Sequence, residues 1–507
     1  MLWTKQHLED IAREQLGGAK LVVVANREPY IHTYEGDEIR CIRPASGLTT
    51  ALDPVMRACG GVWVAHGGGA ADYATVDMHD RVAVPPEDPT YTLRRVWLTM
   101  REEQGYYYGF SNGALWPLCH VAYTRPRFDL RQWKQYKRVN RKFADAVLQE
   151  VGDEPAVVFI QDYHFALLPR MLKNARSDLV IAQFWHIPWP NREVFRICPW
   201  QEEILDGLLG NDLLSFHIQY HCNNFLDTVD RTVEAKVDME QFSVTRGGRT
   251  TIVQPHPISI DPELVQSWLP PAIEGVEHQL RRELGLRNRK ILVAVDRIDY
   301  TKGILERFAA VDRLLELHPD LKGMFMFVQI GAPSRVHIPT YRRLNERLDT
   351  LVEEINWRHG QGSWRPILFI NEHYGPDRIV PLYRIATGCV VSSLHDGMNL
   401  VAKEFVAARD DQQGVLVLSK FTGAARELTD AVLINPYAVD EFAESLHLAL
   451  TMPREEQQQR MRRMQQQIAE NNVYRWAGTL LSEVTKLVDV RQSEEEYDLP
   501  LVAEALA

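Results

Sequence analysis

Short apolar runs recur along the chain at residues 21–25, 157–160, 179–182, 213–214, 291–295, 325–328, 367–370, 390–391, 415–418 and 432–434. Most are followed by a longer stretch whose apolar residues return at helical spacing. A strand with one wet face alternates polar and apolar residues, whereas continuous apolar strands joined by amphipathic helices predict parallel sheets covered on both faces. The series breaks at "PHPISIDPE" (255–263), where three prolines precede a new helix and a fresh set of strand-helix units. The pattern therefore predicts two doubly wound α/β domains, residues 1–260 and 261–473. A last helix within 474–507 carries an apolar stripe of Trp476, Leu480, Leu481 and Val484 and is expected to return to the first domain.

Smaller segments fill in the outline. Residues 1–18 set Leu2, Trp3, Leu8, Ile11 and Leu16 among Lys5, Glu9, Asp10, Arg13 and Glu14, the pattern of an amphipathic helix and not of a signal peptide. "SVTRGGRTTIV" (243–253) reads as a hairpin turning at Gly247-Gly248. Residues 453–472, rich in Gln, Glu and Arg, read as a solvated helix, and the acidic segment after Gln492 as loosely ordered.

Composition narrows the function classes. With 507 residues, 45% hydrophobic and 25% charged, the chain is a large globular protein, and no apolar run approaches the roughly 20 residues of a membrane helix. A cytoplasmic location is expected. The net charge of −11 argues against general nucleic-acid affinity while leaving local basic sites for small anions. Six scattered cysteines show no paired spacing, so buried thiols are expected in place of disulfides or a zinc knuckle, and no metal-ligand cluster stands out.

Doubly wound sheets bind ligands at the carboxyl ends of their strands, so the loops there are the first place to look for chemistry. "DRIDYTKG" (296–303) follows one such strand, and its Arg297 and Lys302 either reach a common anion at the amino end of the next helix, as a diphosphate would require, or are solvated charges flanking a turn. "DYH" (162–164) and His186 are polar groups at other strand ends, read either as caps and satisfied histidines or as functional groups. "HDGMNLVAKEF" (395–405) opens a helix abruptly after the run 388–393, with Asp396 ahead of its first turn.

Together with "ANREP" (25–29), "SGL" (46–48), "YYYGFSNGALWP" (106–117), "HIPWP" (186–190), "QIGAPSR" (329–335) and "VLVLSKFTGAARE" (415–427), these pieces resemble the trehalose-6-phosphate synthases along nearly the whole chain. Those are retaining glycosyltransferases, and the resemblance implies a GT-B fold, two Rossmann-like domains facing a central cleft, with residues 1–260 binding the acceptor and 261–473 the nucleotide sugar. It implies that Arg297 and Lys302 hold the donor diphosphate and stabilise the leaving group. Asp396 and the backbone of Gly397, Met398 and Asn399 would meet the glucose hydroxyls, and Leu400 and Val401 would line phosphates and ribose. Glu404 would accept from the ribose hydroxyls, as an acceptor-only carboxylate can. Gly47 would lie in a donor-contacting loop, while Lys403 is expected to project to solvent. On the acceptor side the resemblance implies that Arg27 and Arg335 hold the phosphate of glucose 6-phosphate, with Tyr107 and Trp116 packed around it, Asp162 on a sugar hydroxyl and His186 beside the transferred glucose. Catalysis would rest on Arg297, Lys302, Asp396 and His186 without cofactor or metal.

Three departures from the family pattern bear on specificity: Gln161 stands where a histidine is common, His66 where tryptophan is frequent, and His395, beside the donor site, where arginine is common. The expected activity is transfer of glucose from a nucleoside-diphosphate glucose, UDP-glucose first, to glucose 6-phosphate. "NREPY" (26–30) also resembles the glucosylglycerol-phosphate synthases, whose acceptor is glycerol 3-phosphate, although the intact "PSR" with Arg335 favours the trehalose branch. An inactive sugar-phosphate sensor and a nucleotide-sugar epimerase on the same fold are further alternatives; the retained donor charges speak against the first, and the paired Arg27 and Arg335 against the second. The partners implied are a nucleotide sugar and a sugar phosphate, with no nucleic acid and no membrane, and homo-oligomerisation is left open. No fused phosphatase segment is expected.

Overall fold

The computed structural model describes residues 3–16, 18–44 and 47–498. The chain divides into two compact units, one of Trp3–Ile258 with the chain from Val473 on, the other of Ser259–Asn472. The strands of the first unit are β1 (Lys20–Val24), β2 (Ile31–Glu35), β3 (Glu38–Ile42), β4 (Val62–His66), β5 (Arg81–Val84), β6 (Tyr91–Val96), β7 (Ala156–Gln161), β8 (Val180–Phe184), β9 (Leu213–Phe216), β10 (Lys236–Asp238), β11 (Ser243–Arg246) and β12 (Arg249–Pro255). Those of the second are β13 (Lys290–Arg297), β14 (Phe325–Ala332), β15 (Ile367–Ile370), β16 (Gly388–Val391), β17 (Val415–Ser419) and β18 (Val432–Ile434).

Among the described residues the first unit forms a ten-stranded sheet in the order β10-β11-β12-β9-β8-β7-β1-β4-β6-β5. The pairings from β12 through β6 are parallel, and antiparallel ribbons finish both edges. Gly247 and Gly248, at φ of 59° and 75°, make the β11-β12 turn where the hairpin pattern placed it. The second unit is a parallel sheet in the order β15-β14-β13-β16-β17-β18.

Strands β2 to β6 and β10 of the first unit are absent from both the series of apolar runs and the hairpin pattern. Arg94 and Arg95 disguise β6 as polar, yet Arg95 is fully buried. Its guanidinium donates to Glu28 and lies against Asp72, each at 2.9 Å, and it also reaches His32 Nδ1 at 2.8 Å. Burial, and then the neighbouring Asp72, push the Glu28 carboxyl up to about 8, while bonds from His32 and Glu28 hold Asp72 below the usual range against the opposing effect of burial. A saturated ion network has replaced an apolar strand face.

The amino-terminal helix, Lys5–Gln15, starts at Thr4, whose hydroxyl accepts from His7 N, and buries Leu8 and Ala12. It packs against the helix Val473–Asp498. That helix lays Trp476 against Phe159 and Phe184, and its Leu480, Leu481 and Val484 fall among Leu21, Val23, Val157 and Ala182 of the sheet. Two expectations change. The backbone is helical to Asp498, so the acidic segment after Gln492 starts as ordered helix built from good helix formers, and residues 499–507 lie outside the described residues. The helix Arg454–Glu470 is not uniformly solvated, since Met461, Met464 and Ile468 form a buried seam. The cysteines are all free, but Cys41 and Cys59 are only half-buried.

Leu480 is 3% exposed, so Leu480→Ala is expected to destabilise the first unit by about 2–5 kcal/mol through a cavity at the sheet surface. Urea unfolding checks this as a lower midpoint at unchanged slope.

Candidate active site

The order β15-β14-β13-β16-β17-β18 runs outward in both directions from the β13-β16 pair, so β13 and β16 flank the point where the winding reverses. Loops leaving neighbouring strands there diverge and leave a crevice. The loop after β13 holds Arg297 at the strand end and one 3-10 turn, Tyr300–Lys302, capped by Asp299, whose carboxylate accepts from Thr301 N at 3.0 Å. Gly303 then enters the helix Ile304–Leu317 at φ 62°, and a Cβ on it would lie 2.2 Å from Ser392 O on the loop after β16. Only glycine lets the two loops touch.

Behind that contact sits Arg307, fully buried. It donates to Asp296 at 2.6 Å, to Ser392 Oγ at 3.0 Å and to the Lys302 carbonyl at 3.3 Å, and Ser392 Oγ donates in turn to Gly303 O at 2.9 Å. The guanidinium thereby fixes the backbone that presents Lys302. The Lys302 ammonium reaches Asp396 Oδ2 at 2.6 Å, and the same oxygen accepts from Ser393 Oγ at 3.1 Å and Asn399 Nδ2 at 3.3 Å. Asn399 stands at φ 96° and caps the helix Leu400–Ala407 by accepting from Ala402 N. The loop carrying Asp396, Gly397 and Met398 rests on residues 421–424: Asp396 N donates to Phe421 O, Gly423 N to Asp396 O and Ala424 N to Met398 O. A Cβ on Gly423 would fall 2.0 Å from Gly397 O.

Leu400 and Val401, both half-buried, start the helix, and Glu404 follows one turn on. Desolvation pushes the Glu404 carboxyl up to about 7. Lys403 corrects an expectation. It does not project to solvent: it is fully buried, its ammonium lies 2.9 Å from Glu427, and burial lowers its pKa despite that partner. A helix that packs one face on β16 and β17 leaves residue 403 inside, where the charge must be paired. Arg335, at φ 50° on the loop after β14, donates to Tyr341 Oη at 2.7 Å and to Asp299 Oδ2 at 3.1 Å. It stands beside the loop of Arg297 and Lys302, within the same unit.

The first unit gathers the remaining candidates at the carboxyl ends of its own strands. Arg27, after β1, donates to Tyr107 Oη at 3.2 Å. Tyr107 belongs to a π-helix, Gln104–Leu115, the wide turn often found at functional positions. Its ring stacks on His164 at 5.7 Å, and His164 Nδ1 lies 3.9 Å from Asp162 Oδ2. Asp162 holds φ 72° just after β7 and accepts through Oδ1 from Tyr163 N at 2.9 Å and His186 N at 3.2 Å. Trp116 is buried against Tyr163 and His120. The ring of His186, after β8, bonds through Nε2 to Gln161 Oε1 at 2.8 Å, and burial pushes its pKa down to about 3, so the imidazole is neutral at pH 7. The Gln161 departure thus contacts the candidate histidine directly. Gly47 is the first residue of the helix Gly47–Cys59, and Ser46 lies outside the described residues.

Sequence reasoning did not single out Asp299, Arg307, Ser392, Gly423 or His164. Asp299 and His164 lie inside quoted motifs, whereas Arg307 and Ser392 carry no local signal, because their meaning comes from 85 residues of separation closed by the fold.

The model of glycosyltransferase family 20 matches residues 19–486. The chain belongs to that family. This family-20 chain is 38% identical to a trehalose-6-phosphate synthase of Mycolicibacterium vanbaalenii over 474 residues, 92% of this chain and 96% of the relative. It is 36% identical to a bifunctional trehalose-6-phosphate synthase/phosphatase of Thermoproteus tenax, covering 95% of itself but 65% of that longer protein. A crystal structure of an alpha,alpha-trehalose-phosphate synthase (UDP-forming) from Burkholderia xenovorans in complex with glucose-6-phosphate superposes with a TM-score of 0.82 at 32% identity, over 92% of this chain and 100% of that one. The chain is accordingly a glycosyltransferase of GT-B type, built from two doubly wound units. Among the described residues no helix is long and apolar enough to cross a membrane.

The buried pair gives a test of what holds the donor-loop helix. Glu427→Ala is expected to destabilise by about 3–5 kcal/mol, because it removes the carboxylate that neutralises the buried Lys403 ammonium, while the double variant Lys403→Met with Glu427→Leu is expected to match the parent or exceed it by about 1–4 kcal/mol. Chemical denaturation of both variants measures the difference.

Proposed function

We propose that this chain transfers glucose, with retention of anomeric configuration, from UDP-glucose to glucose 6-phosphate, giving alpha,alpha-trehalose 6-phosphate and UDP. The observation that carries the reading is the Lys302–Asp396 pair at the β13-β16 winding reversal, 2.6 Å long and braced from behind by Arg307. A diphosphate is the ligand for which Lys302, with Arg297 at the adjoining strand end, is suited. Asp396, already an acceptor for a hydroxyl and an amide, suits sugar hydroxyls. That the Burkholderia xenovorans enzyme is UDP-forming and binds glucose-6-phosphate supports a UDP-linked donor and this acceptor.

In this reading Asp396 and the backbone of Gly397, Met398 and Asn399 hold the donor glucose, Leu400 and Val401 line the phosphates and ribose, and Glu404 accepts from the ribose hydroxyls. Gly47 belongs to the donor-side loop. Arg297 and Lys302 stabilise the charge that accumulates on the diphosphate as its bond to the anomeric carbon breaks. A diphosphate oxygen so held takes the proton from the acceptor hydroxyl, which attacks from the face the leaving group vacates. His186 is neutral and so serves by hydrogen bonding to the transferred sugar and not as an acid. Arg27 and Arg335 receive the acceptor phosphate, Tyr107 and Trp116 shape that subsite, and Asp162 takes a ring hydroxyl.

Incubation with a panel of nucleoside-diphosphate glucoses, against glucose 6-phosphate and glycerol 3-phosphate, should yield trehalose 6-phosphate most rapidly from UDP-glucose, with products identified by mass and linkage. Efficient glucosylation of glycerol 3-phosphate without turnover of glucose 6-phosphate overturns the acceptor assignment. Arg297→Ala and Lys302→Ala should each lower kcat by roughly 10² to 10³, and parent-like turnover in folded variants overturns the leaving-group roles.

Glu404 adds a pH dependence with a definite sign. Its carboxyl titrates near 7 in the folded chain against the ordinary 4.5, so the stability of the unliganded chain falls as pH rises across that window. Ribose binding needs the ionised form, so UDP should bind more weakly as pH drops below about 7. Calorimetric titration of UDP at several pH values should show this trend in the parent. In Glu404→Gln it should show weaker binding in which this dependence is gone.

A further inference from the structure

A second cluster of ligand-type side chains lies away from the donor and acceptor residues. His318 caps the carboxyl end of the helix Ile304–Leu317, while Glu444 and His447 stand on the helix Val439–Thr451. Their spacing of three places both on one helical face. His318 Nε2 lies 3.0 Å and 3.1 Å from the two oxygens of Glu444, and the His318 and His447 rings stack at 3.9 Å with 6° between their planes. One ligand atom from each of the three residues falls within 4.8 Å of the others. The two helices pack side by side, and an ion pair between Arg313 and Asp440, one turn before the cluster on each helix, holds them in register.

We propose that His318, Glu444 and His447 form a binding site for a divalent transition metal of the zinc class, with water completing the coordination. Two imidazoles and a carboxylate, without thiolate, favour zinc, nickel, cobalt or copper over magnesium or calcium, which prefer all-oxygen ligands. Ligands about 2.0–2.2 Å from one ion sit roughly 3 to 3.5 Å from each other, a spacing that His318 and Glu444 already have. A ligand atom of the half-buried His447 lies within 4.8 Å of those of the other two, and the metal would draw it closer. The carboxylate offsets one unit of the ion's charge, and the negative carboxyl end of the helix that His318 caps adds to the attraction. No local pattern announces this group, because His318 and Glu444 are 126 residues apart. The helix Ile304–Leu317 begins at Gly303 beside the donor loop and ends at His318, about 21 Å away by helical rise. A metal here joins two helices and takes no part in glucosyl transfer.

The competing arrangement is His318 hydrogen-bonded to Glu444 under a stacked His447, with no affinity for metal. Full-length protein freed of metal by chelation and titrated with Zn²⁺ by calorimetry distinguishes them. The parent is expected to bind one ion at this site with a dissociation constant in the micromolar range, and His318→Gln, Glu444→Gln and His447→Gln each to weaken that binding roughly 10-fold or more. Zn²⁺ should raise the unfolding temperature of the parent and leave that of the His318→Gln/His447→Gln variant unmoved. With 17 histidines in the chain, parent and double variant binding Zn²⁺ equally well means the ion sits elsewhere, and that result overturns the site. So does a parent that binds no Zn²⁺ in the micromolar range. Circular dichroism of the variants, with unchanged helical signal, shows that the comparison is between folded proteins.

Discussion

A guanidinium without access to water has to be satisfied wholly by its neighbours, and in the unit of Ser259–Asn472 that constraint falls on Arg307. Its partners come from four places: Asp296 on β13, Gln329 on β14, Ser392 after β16 and the Lys302 carbonyl one turn earlier. Losing any of them leaves a buried charge short of a hydrogen bond, at a cost well above the net worth of an ordinary one. The two loops that flank the winding reversal therefore cannot drift apart independently. Gly303 adds the steric half of the same restraint, since its contact with Ser392 O leaves no room for a side chain. Lys302 and Asp396 meet because the backbone on both sides is already fixed.

Three cations of this region are balanced by carboxylates. Lys302 is set against Asp396, Arg335 against Asp299, and Lys403 against Glu427. The three pairs do different things. Lys403 and Glu427 lie behind the helix that follows the donor loop and are structural, since the lysine is inside the fold and has to be neutralised there. Lys302 and Asp396 are partly exposed, at 15% each, so under the proposed activity an incoming diphosphate recruits the ammonium and releases the carboxylate to a sugar. The pair then serves as an internal substitute for ligand charge, holding both side chains near their working positions.

The parallel architecture was legible because fully buried strands need continuous apolar runs, and both sheets supply them from β7 to β9 and from β13 to β18. It failed at β6, where Arg95 pairs with Glu28 and Asp72 and a polar sequence is buried intact, and it passed over β4, whose Val62, Trp63, Val64 and Ala65 are apolar and buried. Of the candidate loops, the sequence pointed to those after β13 and β16, and the fold brings Lys302 and Asp396 of these two loops together. Lys403 was misjudged: a lysine beside a glutamate reads as surface, and only the packing of the helix on β16 and β17 reveals that residue 403 faces inward. Arg307 looks in sequence like any helical arginine, and nothing short of the fold distinguishes it from Arg313, six residues on, which lies exposed and pairs with Asp440.

Burial favours the neutral form in both units, raising an acid in one and lowering a base in the other. At Glu404 the carboxylate forms only near neutrality, and in the proposed reading the ribose hydroxyls offset the cost of forming it. At His186 the neutral imidazole prevails, so no imidazolium stands at that strand end at pH 7. Gln161 is compatible with that state, because its amide oxygen engages Nε2 without adding charge beside the ring. A histidine at position 161 would introduce a second titrating group against the first. His186 is neutral through burial, so under the proposed activity the charge that drives departure of the nucleotide is left to Arg297 and Lys302.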